Sequence, residues 1–235
     1  MKVAIMQPYI FPYIGYFQLI QAVDIFVFYD DVNFIKKGFI HRNNLLFQNR
    51  KTRFTIPCKG ISQNKRINQI VIDAESPALK KLLISIRQNY LQAPFFNQVM
   101  PLLETFFNSA KPNQSIAQFA MESVQLVSNY LDLDTTFKVS SEAHAESFKD
   151  GREDRLIAIV KKEHGQEYYN AVGGQELYSK AYFKNQGIAL TFLESLPINY
   201  QQFNNEFVPW LSIIDVMMFN SKQDILNLIN AYKLK

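Results

Sequence analysis

The sequence is poor in the residues that build metal and disulfide sites: one cysteine, Cys58, and three histidines, His41, His144 and His164, in 235 residues. A single thiol excludes an intrachain disulfide and a cysteine zinc site, and scattered imidazoles give no metal-ligand spacing, so no cysteine or histidine-rich metal site is expected. Long apolar runs are missing as well. Nowhere do about eighteen apolar residues follow one another, which leaves no candidate transmembrane helix. Residues 1–6 run straight into Gln7-Pro8-Tyr9 without the apolar core of a secretion signal, so the chain is expected in the cytoplasm. Charge of one sign is scarce: 25 basic against 21 acidic residues leave a net +4, and Lys36-Lys37, Arg50-Lys51 and Lys65-Arg66 are the densest basic clusters. That is too thin for a DNA-binding arm and suits a local patch for a phosphorylated small molecule.

Apolar residues are plentiful at 48%, enough for a substantial core, and 20 Phe with 12 Tyr make aromatics abundant. Half-buried tyrosines offer a ring and a hydroxyl together, as binding clefts often need. A coding bias towards Phe, Tyr, Asn, Lys and Ile would produce the same enrichment without any site.

Residues 3–6 and 25–29 are short, wholly apolar runs, the pattern of strands buried on both faces, and the apolar spacing between them predicts a helix over 16–23. They should therefore be parallel neighbours in one sheet. Residues 34–73 read as strand-rich, with extended candidates at 53–57 and 67–72. Residues 77–131 read as a helical elaboration broken by Pro94, Pro101 and Pro112. A second alternation follows: strands at 136–140, 168–172 and 188–193, helices at 152–163 and 178–185, then closing helices at 208–219 and 224–232. The expected fold is a single α/β domain over 1–235, a mostly parallel Rossmann-like sheet with a helical insertion in mid-chain.

Ligands of open parallel sheets bind beyond the carboxyl ends of the strands. The loop after the first strand, with Gln7, Pro8, Tyr9, Tyr13, Gly15 and Tyr16, is therefore a candidate substrate contact, stiffened by its prolines. Its order of strand, Pro-containing loop and helix resembles a nucleotidyltransferase, but Tyr13-Ile14-Gly15-Tyr16 stands where that class has a His-x-Gly-His signature. Asp30 and Asp31, ending the second strand, are candidate acid–base residues that could equally bind Mg²⁺ or accept from a ribose, with a turn or helix-cap role as the alternative. His41 could shuttle a proton, Arg42 could clamp a phosphate, and Lys37 and Asn43 lie close by. Arg155 is a further candidate contact unless it serves a surface ion pair, and Gly173-Gly174 could cradle an anion. Were Asp31 an exposed base or ligand, Asp31→Asn would cost little stability. Asp215 stands among apolar residues and, if buried, requires a partner.

Several of these blocks together resemble the WbqC-like family: residues 3–9, Pro12 with Tyr13 to Phe17, Tyr29-Asp30-Asp31-Val32, His41-Arg42-Asn43, Arg155-Leu156, Tyr200-x-Gln202 and the run from Phe207 to Asp215. The family often has Asn where this chain has His41. The resemblance implies a place in O-antigen or related surface-polysaccharide synthesis and, as proposed for some members, glycine transfer. The reading it implies is an acyl or aminoacyl transferase acting on a nucleotide-linked amino sugar. Its activated donor would be an aminoacyl-tRNA, an acyl-CoA or an aminoacyl adenylate. The alternatives are a nucleotide-sugar binding or assembly protein without chemistry of its own, and a nucleotidyltransferase-like enzyme. No cofactor can be named from the sequence.

Overall fold

The computed structural model describes residues 1–149, 151–203 and 206–235. Its first two apolar runs are β1 (Lys2–Met6) and β2 (Ile25–Phe28), joined by α1 (Ile14–Gln21). The two strands pair parallel, with Val3 opposite Ile25 and Met6 opposite Phe28. A long excursion follows, made of β3 (Arg42–Phe47), β4 (Arg50–Thr55), β5 (Cys58–Lys59), β6 (Val71–Ile72), α2 (Pro77–Tyr90), α3 (Phe96–Asn108) and α4 (Ile116–Tyr130). The chain then returns through β7 (Thr136–Val139), α5 (Ser140–Ala143), α6 (Arg152–Lys162), β8 (Glu167–Ala171), α7 (Lys180–Asn185) and β9 (Ala189–Ser195). It closes with α8 (Ile213–Phe219), α9 (Lys222–Ile229) and β10 (Tyr232–Leu234).

The main sheet has the order β10-β9-β8-β1-β2-β7, parallel throughout except for the edge strand β10. The fold is thus α/β and Rossmann-like. Alternation along each strand divides the core in two. Val3, Ile5, Ile25 and Val27 pack with Leu156, Ile159 and Val160 of α6 and Phe183 of α7. Ala4, Phe26 and Phe28 pack on the other face with Phe17 and Leu19 of α1, in a cluster that continues through Tyr90, Phe106 and Val124 of the excursion. Buried on both sides, these strands have no use for polar positions, which is why they read as uninterrupted apolar runs. Gln18, fully buried on α1, is the exception: its amide donates to the carbonyls of Leu228 and Ala231, both at 3.0 Å, tying α1 to the end of α9.

Four expectations are corrected. In the stretch expected to be strand-rich, residues 42–47, not named among the extended candidates, form β3. Residues 67–69 form a single 3-10 turn, and only 71–72 of that segment pair as a strand. Pro101 does not break the helical region but lies inside α3, whose apolar face of Val99, Met100, Leu103 and Phe106 outweighs the lost backbone hydrogen bond. The helix expected over 208–219 starts only at Ile213, because Trp210 takes a left-handed backbone (φ +62°) and Ser212 caps the helix behind it.

Asp215 holds the closing helix to the excursion. It is fully buried and, among the described residues, its partners are neither an arginine nor another cation. Tyr90 donates to Oδ2 at 2.8 Å, while Tyr200 and the Gln202 amide each donate to Oδ1 at 2.7 Å. Tyr90 in turn accepts from the Leu46 amide at 2.9 Å, so β3, α2, α8 and the loop at Tyr200 meet on one carboxylate. Burial raises the Asp215 pKa, and the three donors pull against that rise. Asp215→Ala removes the acceptor of three buried donors and should cost about 3 kcal/mol or more, since each orphaned group costs roughly 1–3 kcal/mol. Urea melts of the two proteins measure it, and a loss below about 1 kcal/mol would mean the network is not formed in solution.

Candidate functional site

A cleft of about 750 Å³ opens at the carboxyl ends of β1, β2 and β8, where the connecting loops leave the sheet. Gln7 and Tyr9 come from the loop after β1, Tyr29 and Asp31 from the end of β2, and Asn170 and Gly173-Gly174 from the end of β8. Arg152 and Arg155 reach in from the first turn of α6, and Tyr178 and Phe148 complete the wall.

At its floor lies a buried ion pair. Arg155 Nη2 donates to Asp31 Oδ2 at 2.6 Å, and both side chains are only 4% exposed. The guanidinium stands over the rings of Tyr29, at 4.7 Å, and Phe148, at 5.2 Å, and Nε lies 3.4 Å from Ser147 Oγ. Ring faces carry partial negative charge, so they stabilise a cation that water no longer reaches. Asp31 and Ser147 hold two edges of the guanidinium, the Tyr29 hydroxyl stands against it as well, and Arg155 lines the cleft. The other Asp31 oxygen accepts from Ser140 Oγ at 2.6 Å. Burial raises the Tyr29 and Tyr178 hydroxyls above their ordinary pKa, with Arg155 and Arg152 respectively opposing the rise. Both phenols are therefore neutral donors at pH 7.

Asp30 faces away from the cleft. Its Oδ1 accepts from the Ser141 amide and lies 3.0 Å from Ser140 Oγ, and its Oδ2 accepts from Ser141 Oγ at 2.7 Å and Asn68 Nδ2 at 3.0 Å. A carboxylate fixed by three donors caps the start of α5, and Asp30 is not among the residues lining the cleft.

The structure thus gathers Gln7, Tyr9, Asp31, Arg155, Gly173 and Gly174 on the cleft wall and takes the other candidates elsewhere. His41 is buried against Phe34, with ring centroids 5.1 Å apart, and burial with the nearby Arg42 charge lowers its pKa to about 4. It is a neutral core histidine out of reach of the cleft. Arg42 Nε donates to the Gly38 carbonyl at 2.8 Å, and Lys37 is exposed outside the cleft lining. Asn43 is buried and donates to the carbonyl of Phe11 at 2.7 Å, so it holds the first loop in shape. Pro8 is buried, and the buried Tyr16 donates to the Gln7 carbonyl at 2.9 Å, supporting the cleft from behind. Gly15 is needed for packing: a Cβ there would stand 2.3 Å from the Tyr13 ring. Tyr13 itself borders a neighbouring recess with Trp210. At Gly173 a Cβ would meet nothing within 4 Å, so its backbone faces open cleft.

Sequence reasoning missed Arg152, Tyr29, Asn170 and Tyr178 as cleft residues. Arg152 and Arg155 sit three apart, one helical turn, and that spacing was the available signal. Among the described residues no group of three or more His, Cys, Asp or Glu side chains gathers as a metal cluster, and no helix is long and apolar enough to cross a membrane.

The family model described as the WbqC-like protein family matches residues 7–226. The chain is similar to Rv1507c, an uncharacterized protein of Mycobacterium tuberculosis, with 24% identity over 221 residues that make up 93% of each chain. No solved structure matches.

Two outcomes follow from this geometry. Asp31→Asn strands a buried guanidinium charge, so it should destabilise by about 3 kcal/mol or more, against the small loss an exposed carboxylate would give. Urea melts at pH 7 check it. His41 titrates at a lower pH in the folded than in the unfolded chain, so the unfolded state binds more protons as pH falls from about 6.5. Stability due to a neutral His41 is therefore full above that pH and is lost towards pH 4. His41→Leu should reduce the loss between pH 7 and pH 4.5 by about 2 kcal/mol, and an unchanged pH dependence would contradict the burial of this ring.

Proposed function

The chain belongs to the WbqC-like protein family, and from that premise we propose that its cleft binds a nucleotide-linked amino sugar for surface-polysaccharide synthesis and presents the sugar amine to an acyl or aminoacyl donor. The observation that carries this reading is the Arg155 guanidinium, locked by Asp31 and two rings at the floor of a cleft of ligand size. Arg155 and Arg152 would hold the phosphates, with the open backbone at Gly173 as a further donor surface. Tyr9, Tyr29 and Tyr178 would stack on the base or sugar and donate to its hydroxyls. Asn170 is fixed by Tyr168 and the Ala171 amide and would read the sugar from the strand end.

In the transfer, the amine nitrogen attacks the donor's carbonyl carbon, the bond to the donor's oxygen or sulfur breaks, and an amide forms. The nitrogen's proton leaves with the departing alkoxide or thiolate. A nearby base would assist, yet Asp30 is outside the cleft lining, Asp31 is paired and His41 is buried. Those three facts favour a second reading, a nucleotide-sugar binding protein that positions its ligand for a partner. Nucleotidyl transfer is not favoured, because Tyr13 and Tyr16 stand where that class carries its two histidines.

Isothermal titration with uridine- and thymidine-diphosphate amino sugars tests the binding. Arg152→Ala, which removes an exposed charge, should weaken affinity about tenfold at unchanged melting temperature, the value of one charge-assisted contact. Mass spectrometry after incubation with acyl-CoA or aminoacyl-tRNA then separates the readings: a gain in sugar-nucleotide mass identifies a transferase, and binding without mass change identifies the binder. Failure of every nucleotide sugar to bind would remove the site.

A further inference from the structure

The net charge of +4 conceals an uneven distribution. Residues 32–72 carry nine Lys and Arg residues and no Asp or Glu, so the remainder of the chain is net negative. This segment folds as the β3–β4 ribbon, the β5–β6 pair and their flanking loops. Lys36, Lys37, Arg50, Lys51, Arg53 and Lys65 are all exposed on it. Among the described residues, Lys59 alone of the nine has a carboxylate partner, Asp73 at 3.1 Å. Like charges gathered on so small a unit repel one another, and a polyanion would relieve the repulsion.

At the edge of this unit lies an aromatic recess of about 170 Å³, separate from the cleft. Tyr9, Tyr13, Phe39 and Trp210 wall it, with Asn43, Asn44 and Lys51 among its lining residues. Two of its rings stand out in solvent, Phe39 at 47% and Trp210 at 67% exposure. Trp210 is moreover held in the left-handed backbone region that bulky side chains avoid. The chain is pinned just behind it, where Ser212 donates to the Phe11 carbonyl at 2.6 Å and the Ile213 amide donates to the Pro12 carbonyl at 2.9 Å. The fold therefore strains its single tryptophan in order to present it.

Exposed rings around a small concavity, beside unpaired lysines and arginines, are what unpaired bases on a phosphate backbone require. We propose that the acid-free segment and the Trp210 recess form a binding site for single-stranded nucleic acid, with the basic residues on the phosphates and a base against Trp210 and Tyr13. A duplex keeps its bases stacked internally and cannot fill the recess. An anionic membrane surface would attract the same charges, but lipid tails leave Lys51 and Asn44 in the recess unsatisfied. Tyr9 borders both the recess and the cleft, so an acyl ester carried at the end of the strand would lie beside the sugar amine. That last consequence rests on the transferase reading; the binding itself does not.

Because Trp210 is the only tryptophan, its fluorescence reports occupancy of the recess directly. The wild-type protein is titrated, without sugar nucleotide, with single-stranded RNA and DNA of twelve or so nucleotides, and separately with vesicles rich in phosphatidylglycerol. The expected result is saturable quenching by a single strand. Tighter binding of RNA would assign RNA, and equal binding would assign single strands of either sugar. In fluorescence anisotropy with labelled strands, Trp210→Ala should weaken binding about tenfold with the salt dependence unchanged. Lys51→Glu with Arg53→Glu should flatten the log–log salt slope by about 1.4, or about 0.7 per lost phosphate contact. Lys80→Glu on α2 serves as the control for charge alone and should leave the slope near the wild-type value. Absence of quenching by either strand would overturn the proposal, and so would binding indifferent to both variants or a tryptophan response confined to vesicles. None of these results bears on whether the cleft binds nucleotide sugars.

Discussion

Two opposite charges taken out of water at the carboxyl edge of the sheet, Asp31 and Arg155, dictate what their neighbours must be. Neither could stay ionised there alone, because desolvation of each costs more than an isolated contact returns. Asp31 is therefore given a second donor in Ser140, and Arg155 is given two ring faces and the Ser147 hydroxyl. These contacts join the end of β2, the short helix α5 and the first turn of α6. A guanidinium held in this way has its orientation fixed in advance, which would reduce the entropy that binding of the proposed ligand must overcome.

The other wall depends on backbone accounting. The loop after β1 passes through a left-handed Phe11, an unfavourable conformation for a bulky residue. Its buried polar groups are met from three directions: Ser123 accepts from the Phe11 amide at 3.0 Å, and Asn43 and Ser212 donate to the Phe11 carbonyl at 2.7 and 2.6 Å. The excursion after β2 thus does more than enlarge the core. It supplies the groups that hold the first loop beside the cleft, and it carries the exposed basic ribbon next to the Trp210 recess.

What could be read from the sequence was what rests on local pattern. The apolar runs of β1 and β2 and the helical spacing between them imply a parallel pair, because a strand covered on both faces has no polar position. β3 was illegible: Asn43 and Asn44 look like loop residues, and only contacts with a distant loop explain their burial. β10 is three residues long and is created by β9 beside it. Asp30 and Asp31 could not be told apart in sequence. Both carboxylates reach the Ser140 hydroxyl, yet one is taken up by Ser141 and Asn68 at the start of α5 and the other meets an arginine 124 residues away. His41 misled for a related reason: the charged residues around it in sequence suggest a polar site, while its ring turns inward to Phe34.

The central proposal is that Arg155, fixed by Asp31, binds the phosphates of a nucleotide-linked sugar from the cleft floor. A crystal structure of the protein with a uridine-diphosphate amino sugar tests it most directly. The account predicts diphosphate oxygens within hydrogen-bond distance of the Arg155 guanidinium, with Arg152 beside them and the Asp31 ion pair unbroken. A nucleotide seated elsewhere, or a guanidinium that leaves Asp31 to reach it, would contradict the account.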